Sequence, residues 1–215
     1  MLAIFVLILL QLFPVDSFES KLQNYLSEKL SDYSRFTFKV NSLPVNYSRI
    51  EIDDTRQLRI SNRYAFLPVH VYDAYSNVNN SFITIEIELY KTVLKANRKI
   101  ERGEALSGDM FDSIEAEITS IKGTPVFETE EIAGKRSRTI INEGTVLTEE
   151  LIEPVPDVFR DSKVILHVIK GSVDISVDAT ARQEGRIGEI IRVITTDNKI
   201  FKARIIDKQN VLLED

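Results

Sequence analysis

His70 and His167 are the residues to weigh first, because each could act as a general base or metal ligand near neutral pH. Each sits in a strand-like apolar run, between Val69 and Val71 or between Leu166 and Val168. No Cys, Asp or Glu stands at catalytic or ligand spacing from either, so both read as edge or surface histidines. The chain has no Cys and no Trp. That removes disulfides, thiolate nucleophiles and sulfur-based metal sites, and two histidines cannot build a three-His zinc site. Asp53-Asp54 and the Asp174/Asp178 pair lack the loop spacing and ligand count that calcium needs. Gly185-Arg186-Ile187-Gly188 lacks the third glycine, the Lys-Ser/Thr pair and the following helix of a phosphate loop. A β-branched run follows it, so Gly185 and Gly188 predict a tight turn. These residues point to no catalytic group, no metal and no cofactor.

Charge is the other chemistry available. Glu128-Thr129-Glu130-Glu131 is followed by Lys135-Arg136-Ser137-Arg138, a local dipole that suits a solvated face, an acidic partner or a carboxylated sugar. If a strand begins at Thr139, Arg136 and Arg138 share one face and one anionic contact. The net charge of −6 and pI of about 5.2 lack the basic footprint that a phosphate backbone requires, so nucleic acid is not an expected partner.

The chain has 215 residues, 43% of them hydrophobic, enough for packed cores. Met1 to Phe13 carries no charge and is shorter than the roughly 20 residues of a membrane helix. It suits the apolar region of a signal peptide, with Pro14 as breaker and Val15 and Ser17 as the small residues before cleavage. Residues 1–17 are therefore expected to be removed, leaving a soluble protein outside the cytoplasm. Without disulfides, its stability must come from packing.

Phe18 to Ser31 places Phe18, Leu22, Leu26 and Leu30 near one face and predicts an amphipathic helix. After it the period becomes two. Phe36, Phe38 and Val40 alternate with polar residues, as do Ile50 and Ile52. Phe82 to Tyr90 is the cleanest strand: Ile83, Ile85, Ile87 and Leu89 face one way, and Thr84, Glu86, Glu88 and Tyr90 the other. Residues 18–90 thus predict an N-terminal α+β domain, a helix on an antiparallel sheet. Phe82–Tyr90 is also the best candidate edge for strand addition by a partner, although an interior strand would alternate in the same way.

Residues 91–152 have short β segments and a weak repeat. Ile100 to Met110 and Ile141 to Leu151 each read as strand end, glycine turn at Gly103 or Gly144, apolar anchor and a single helical turn. Two such copies can pair and share one core. Glu153-Pro154-Val155-Pro156-Asp157 reads as a stiff linker, with Pro154 and Pro156 as a hinge. Residues 153–215 then carry five or six short strands, which bury enough surface only if the sheet curls into a small barrel-like domain. Asp197-Asn198 marks a hairpin. The fold class is α+β, mostly β.

These residues resemble a family. Ile100–Met110 and Ile141–Leu151 look like the paired half-motifs of an SAF (β-clip) domain. Val164 to Val193, with Gly185-x-x-Gly188-x-x-Ile191-Arg192-Val193, is similar to the closing segment of flagellar basal-body P-ring formation chaperones. The motifs cover residues 91–205, whereas residues 18–90 match only in position and type. One departure is Ile194-Thr195-Thr196-Asp197-Asn198-Lys199, where the family commonly has Asn-x-x-Ser after the Ile-Arg-Val strand. The resemblance implies a signal peptide, a variable N-terminal domain, an SAF domain at 91–152 and a C-terminal β domain. It further implies a periplasmic chaperone that binds P-ring subunits, prevents their mispairing and releases them around the rod, with no cofactor and no catalytic residue. SAF domains also serve in pilus-assembly accessory factors and as carbohydrate-binding modules of enzymes. The first expects the domain near the N-terminus after a membrane anchor, whereas here residues 18–90 precede it. The second expects an attached catalytic barrel and aromatic sugar platforms, and the chain has no Trp. No residue pattern sets the oligomeric state.

Overall fold

The structure is a computed structural model and describes residues 18–171 and 173–214. The expected signal peptide, residues 1–17, lies outside them. Among the described residues one α-helix, α1 (Phe18–Lys29), precedes thirteen strands. They are β1 (Arg35–Val40), β2 (Arg49–Ile52), β3 (Arg59–Ser61), β4 (Tyr64–Tyr72), β5 (Val78–Ala96), β6 (Phe111–Glu117), β7 (Lys135–Ser137) and β8 (Ile152–Pro154). The last five are β9 (Lys163–Lys170), β10 (Val173–Ala181), β11 (Ile190–Thr195), β12 (Ile200–Ile205) and β13 (Asn210–Leu213). The class is α+β and mostly β, as the periodicity predicts. The chain divides into two compact units. One holds residues 18–97, Phe111–Glu131 and Gly144–Glu149; the other holds Arg98–Met110, Ile132–Glu143 and residues 150–214.

In the first unit the sheet order is β1-β5-β4-β2, with β3 also on β4 and β6 also on β5. All of these pairs are antiparallel. The amphipathic reading of α1 holds: Leu22, Tyr25 and Leu26 are its buried face. They join Ala65, Leu67, Val69, Ile83, Ile85, Ile87 and Leu89 in one core. Each fully buried aliphatic side chain is worth about 1.5–3 kcal/mol over exposure, so this layer is the main source of the unit's stability. Asp73 shapes the β4–β5 turn by accepting the N–H groups of Tyr75 and Asn77 at 2.8 and 2.9 Å.

The two repeat copies make matching bonds. The Gly103 N–H donates to the Ser137 carbonyl, and the Gly144 N–H to the Ala96 carbonyl, both at 2.8 Å. Leu106 bonds Lys135 as Leu147 bonds Leu94. Each copy ends in a 3-10 turn, Gly108–Met110 or Glu149–Leu151. Both glycines have positive φ, 80° and 82°, which a side chain would strain. Ile100 and Ile141 pair directly through two backbone bonds of 2.8 and 3.0 Å and are buried.

The second unit ends in a closed barrel, β10-β11-β12-β13-β9. The β13–β9 pair is parallel and the other four are antiparallel. Ala179, Ala181 and Ala203 share its core with Val164, Leu166, Ile191, Val193, Ile205 and Val211. Small residues among large ones let so few strands close without a void. Gly185 serves the same end: a Cβ there would lie 2.8 Å from the Ile191 side chain and 3.0 Å from that of Ile205. The Asp197-Asn198 hairpin lies between β11 and β12, with the Thr195 hydroxyl donating to Asp197 at 2.5 Å.

β9 and β10 outgrow this barrel. β13 pairs with β9 only from Ile165 to His167, and β11 pairs with β10 only from Ala179 to Ala181. Between them, β9 and β10 pair with each other from Lys163↔Thr180 out to Lys170↔Val173. A two-stranded ribbon therefore extends past the barrel wall.

Candidate functional site

Asp53 and His70 meet at the end of β2. Asp53 is 3% exposed. It accepts the Thr55 N–H at 2.9 Å, the Thr55 hydroxyl at 2.5 Å and the Arg56 Nε–H at 2.5 Å. These donors, Thr55 foremost and Arg56 next, hold its pKa down to about 2. A carboxylate so stabilised takes up no proton near neutrality and is no general base. Arg56 also donates to the carbonyls of Val69 and Ser81, so the group fastens the segment after β2 to β4 and β5. His70 Nε2 lies 3.6 Å from Asp53, and its Nδ1 lies 2.8 Å from the Asn80 Oδ1 on β5.

His167 has more neighbours. Its Nε2 lies 3.0 Å from the Asn210 Oδ1, and its Nδ1 lies 3.3 Å from the Ser176 hydroxyl and 3.4 Å from Asp174. The Asn210 bond first, against the cost of burial, and Asp174 next raise its pKa above the usual value. Ser, His and Asp together suggest a nucleophile and base, but the arrangement is wrong. A triad needs serine and aspartate on opposite ring nitrogens. Here both crowd Nδ1, so a proton taken from Ser176 has no relay. Asp174 sits beside His167, whereas Asp178 lies elsewhere along β10, opposite Ile165. Among the described residues no group of three or more acidic or His side chains is placed to hold a metal ion.

Arg136 and Arg138 do share an anionic contact, and it is internal. β7 spans Lys135–Ser137, earlier than a strand starting at Thr139. The Arg136 side chain is 11% exposed and lies 2.7 Å from Glu153 and 2.5 Å from Glu184; Arg138 reaches Glu153 at 3.5 Å. Glu184, foremost, and Glu153 raise the Arg136 pKa against its burial. Arg136 is thus paired with two acids of its own chain. Glu153 and Glu184 are lone acids far apart in the chain, and no spacing rule marks them.

The strand-addition edge also needs correction. Ile83, Ile85, Ile87 and Leu89 are buried in the core, and β1 lies along β5 from Ile85 to Tyr90. On the other side β4 pairs as far as Glu86 and β6 takes over at Tyr90. The alternation is that of an interior strand, and those side chains cannot meet a partner without unfolding the sheet.

Around the expected hinge, Pro154 lies in β8 opposite Lys135, and Pro156 is buried. The Val155 N–H donates to the Gly134 carbonyl at 2.9 Å, and those of Asp157 and Val158 donate to the Gly185 carbonyl at 3.0 Å. In the glycine turn, the Arg186 and Ile187 N–H groups are taken by Glu189 and Asp157. Gly188 adopts φ 90° and donates to the Ile205 carbonyl. With its donors given to carboxylates, this loop does not cradle a phosphate.

The model of a protein family described as chaperone for flagella basal body P-ring formation matches residues 91–213. The chain belongs to that family. The match takes in both half-motifs, the Arg136 ion pairs and the whole barrel. The fold is similar to the crystal structure of Salmonella FlgA in open form, at 14% identity and a TM-score of 0.63 over 90% of this chain and 91% of that one. It is also similar to flagellar protein FlgA from Thermotoga maritima, at 20% identity and a TM-score of 0.57 over 91% of this chain and 72% of that one. No curated protein matches the sequence. Both structures extend the likeness to the N-terminal sheet, which the family model leaves out.

Proposed function

We propose that this chain is a periplasmic chaperone that binds P-ring subunits and assists their assembly around the flagellar rod. The carrying observation is the family match across residues 91–213. The site geometry supports work by binding rather than catalysis. Asp53 is locked in its ionised form, His167 lacks a relay, and Arg136 is internally paired. The apolar run at residues 1–17 supports export, and assembly outside the cytoplasm is where a P-ring chaperone would act. The test is deletion of the gene in its own organism. P-rings and motility should be lost, and should return with the wild-type gene and with a His70→Ala/His167→Ala double variant that keeps its melting temperature. Normal P-rings in the deletion strain would refute the assignment. Failure of a stable double variant would refute the non-catalytic reading.

A further inference from the structure

We infer that the open edge of β10, Val173 to Asp178, is a docking strand for an extended segment of the client, one that alternates apolar with basic or neutral polar residues. This rests on the proposed function. The Ile165 N–H donates to the Gln209 carbonyl at 2.7 Å, away from β10. Ile165 and its alternate neighbours His167 and Ile169 therefore do not exchange backbone bonds with their β10 partners Asp178, Ser176 and Asp174. Those three β10 residues must turn their N–H and C=O groups to the opposite edge. β11 covers that edge only from Ala179 to Ala181. Among the described residues no strand meets this row of backbone donors and acceptors, over a length of about 20 Å.

The side chains give the edge its selectivity. Val173, Ile175 and Val177 line one face of the ribbon, and Val173 and Ile175 are each 54% exposed. Asp174, Ser176 and Asp178 line the other, and Asp178 forms no ion pair among the described residues. Proteins normally blunt such an edge with lysine, proline or a bulge. This one carries no lysine, proline or bulge, and its two charges, Asp174 and Asp178, are acidic. At its foot, where β10 parts from β11, lies a cleft of about 440 Å³ whose lining includes Asp178, Lys163, Thr180, Ile194, Thr195 and Asn198. A strand added to β10 would run end-on towards β11, and its terminal polar side chain would enter that cleft between Asp178 and Lys163. Backbone bonds supply affinity and the two faces supply selection. Charge complementarity sets the partner's chemistry, because acids on alternate positions disfavour an acidic strand and favour lysine or arginine opposite them. The one-sided edge of β5 from Val78 to Thr84 offers less, since its exposed Phe82 already lies under Arg56 and Arg59 at 4.9 and 5.4 Å.

The test uses the full exported chain and the purified P-ring subunit of the same organism. Ser176→Pro removes one outward N–H, and Asp174→Lys/Asp178→Lys reverses the polar face while keeping the backbone. Each should weaken binding by at least about tenfold, a change of about 1.4 kcal/mol. Val78→Asp, on the other unit, should bind as wild type. A chain without native cysteine also allows Ser176→Cys to carry a photo-crosslinker. Its adduct should map to one client segment with the stated alternation. If wild type binds and both variants bind within twofold of it, the edge is not the docking strand while the proposed function stands. If wild type does not bind, the proposed function and this inference both fall. A crosslink to a second copy of the chain, rather than to the subunit, overturns the inference.

Discussion

β5 and β10 carry the same alternation and meet opposite fates. Ile83, Ile85, Ile87 and Leu89 of β5 are sealed beneath α1, with neighbours along most of the strand. Val173, Ile175 and Val177 of β10 run past the end of β11 and stay partly or fully exposed. Alternation therefore states which residues share a face. It does not state whether anything covers that face, because cover depends on the lengths of strands far away in the chain.

Substitutions in the two strands should differ sharply in cost. The largest effect is expected at Ile85→Ala, which removes a fully buried side chain and should cost about 2–5 kcal/mol in denaturant unfolding. A loss as small as a surface substitution would mean that β5 is not interior. Next, Gly185→Ala drives a methyl group into Ile191 and Ile205, and overpacking of this kind should cost about 1–3 kcal/mol. Unchanged stability would show the barrel to be looser than its alanine-rich interior implies. pH should then separate the units. Asp53 is held at about 2, below the ordinary 3.8, so its contribution is complete above the ordinary value and is lost as pH falls through about 2. His167 is raised above the ordinary 6.5, so its contribution is complete below that value and is lost as pH rises through the folded one. Asp53→Asn should flatten the acid limb of stability against pH, and His167→Gln the alkaline limb. The reverse assignment would overturn both site descriptions. The smallest effect is expected at Ile175→Ala, within about 0.5 kcal/mol for an exposed site. A cost matching that of Ile85→Ala would mean the ribbon is covered in the free protein.

Much of the fold was legible from local signals. The helix at Phe18, the strand at Phe82 and the hairpin at Asp197-Asn198 follow from periodicity and turn chemistry within a few residues. The curling of the last strands into a barrel was legible too, because short strands leave few other ways to bury Val164, Leu166 and Ile205. The site was less legible. Arg136 looked free because its two acids, Glu153 and Glu184, are brought to it only by tertiary structure. The open edge of β10 was hidden because it exists by subtraction: β10 is simply longer than the part of it that β11 pairs. The compact units also interleave, each taking several separate stretches of chain, and no change in composition along a sequence can display that.

The parallel pairing of β13 with β9 imposes an order of events on the chain as it is made. Asn210 to Leu213 must find Ile165 to His167, strands that stand at opposite ends of the barrel sequence. Until it does, β9 and β12 each lack a neighbour, and their apolar residues face water. A chain emerging N-terminus first can assemble the helix-covered sheet early from nearby hairpins, but the barrel waits for its last strand. Such non-local closure is slow because loop entropy is spent before contacts repay it. The chain thus passes through an interval in which it is itself prone to aggregate, and any truncation that reaches Val211 would make that interval permanent.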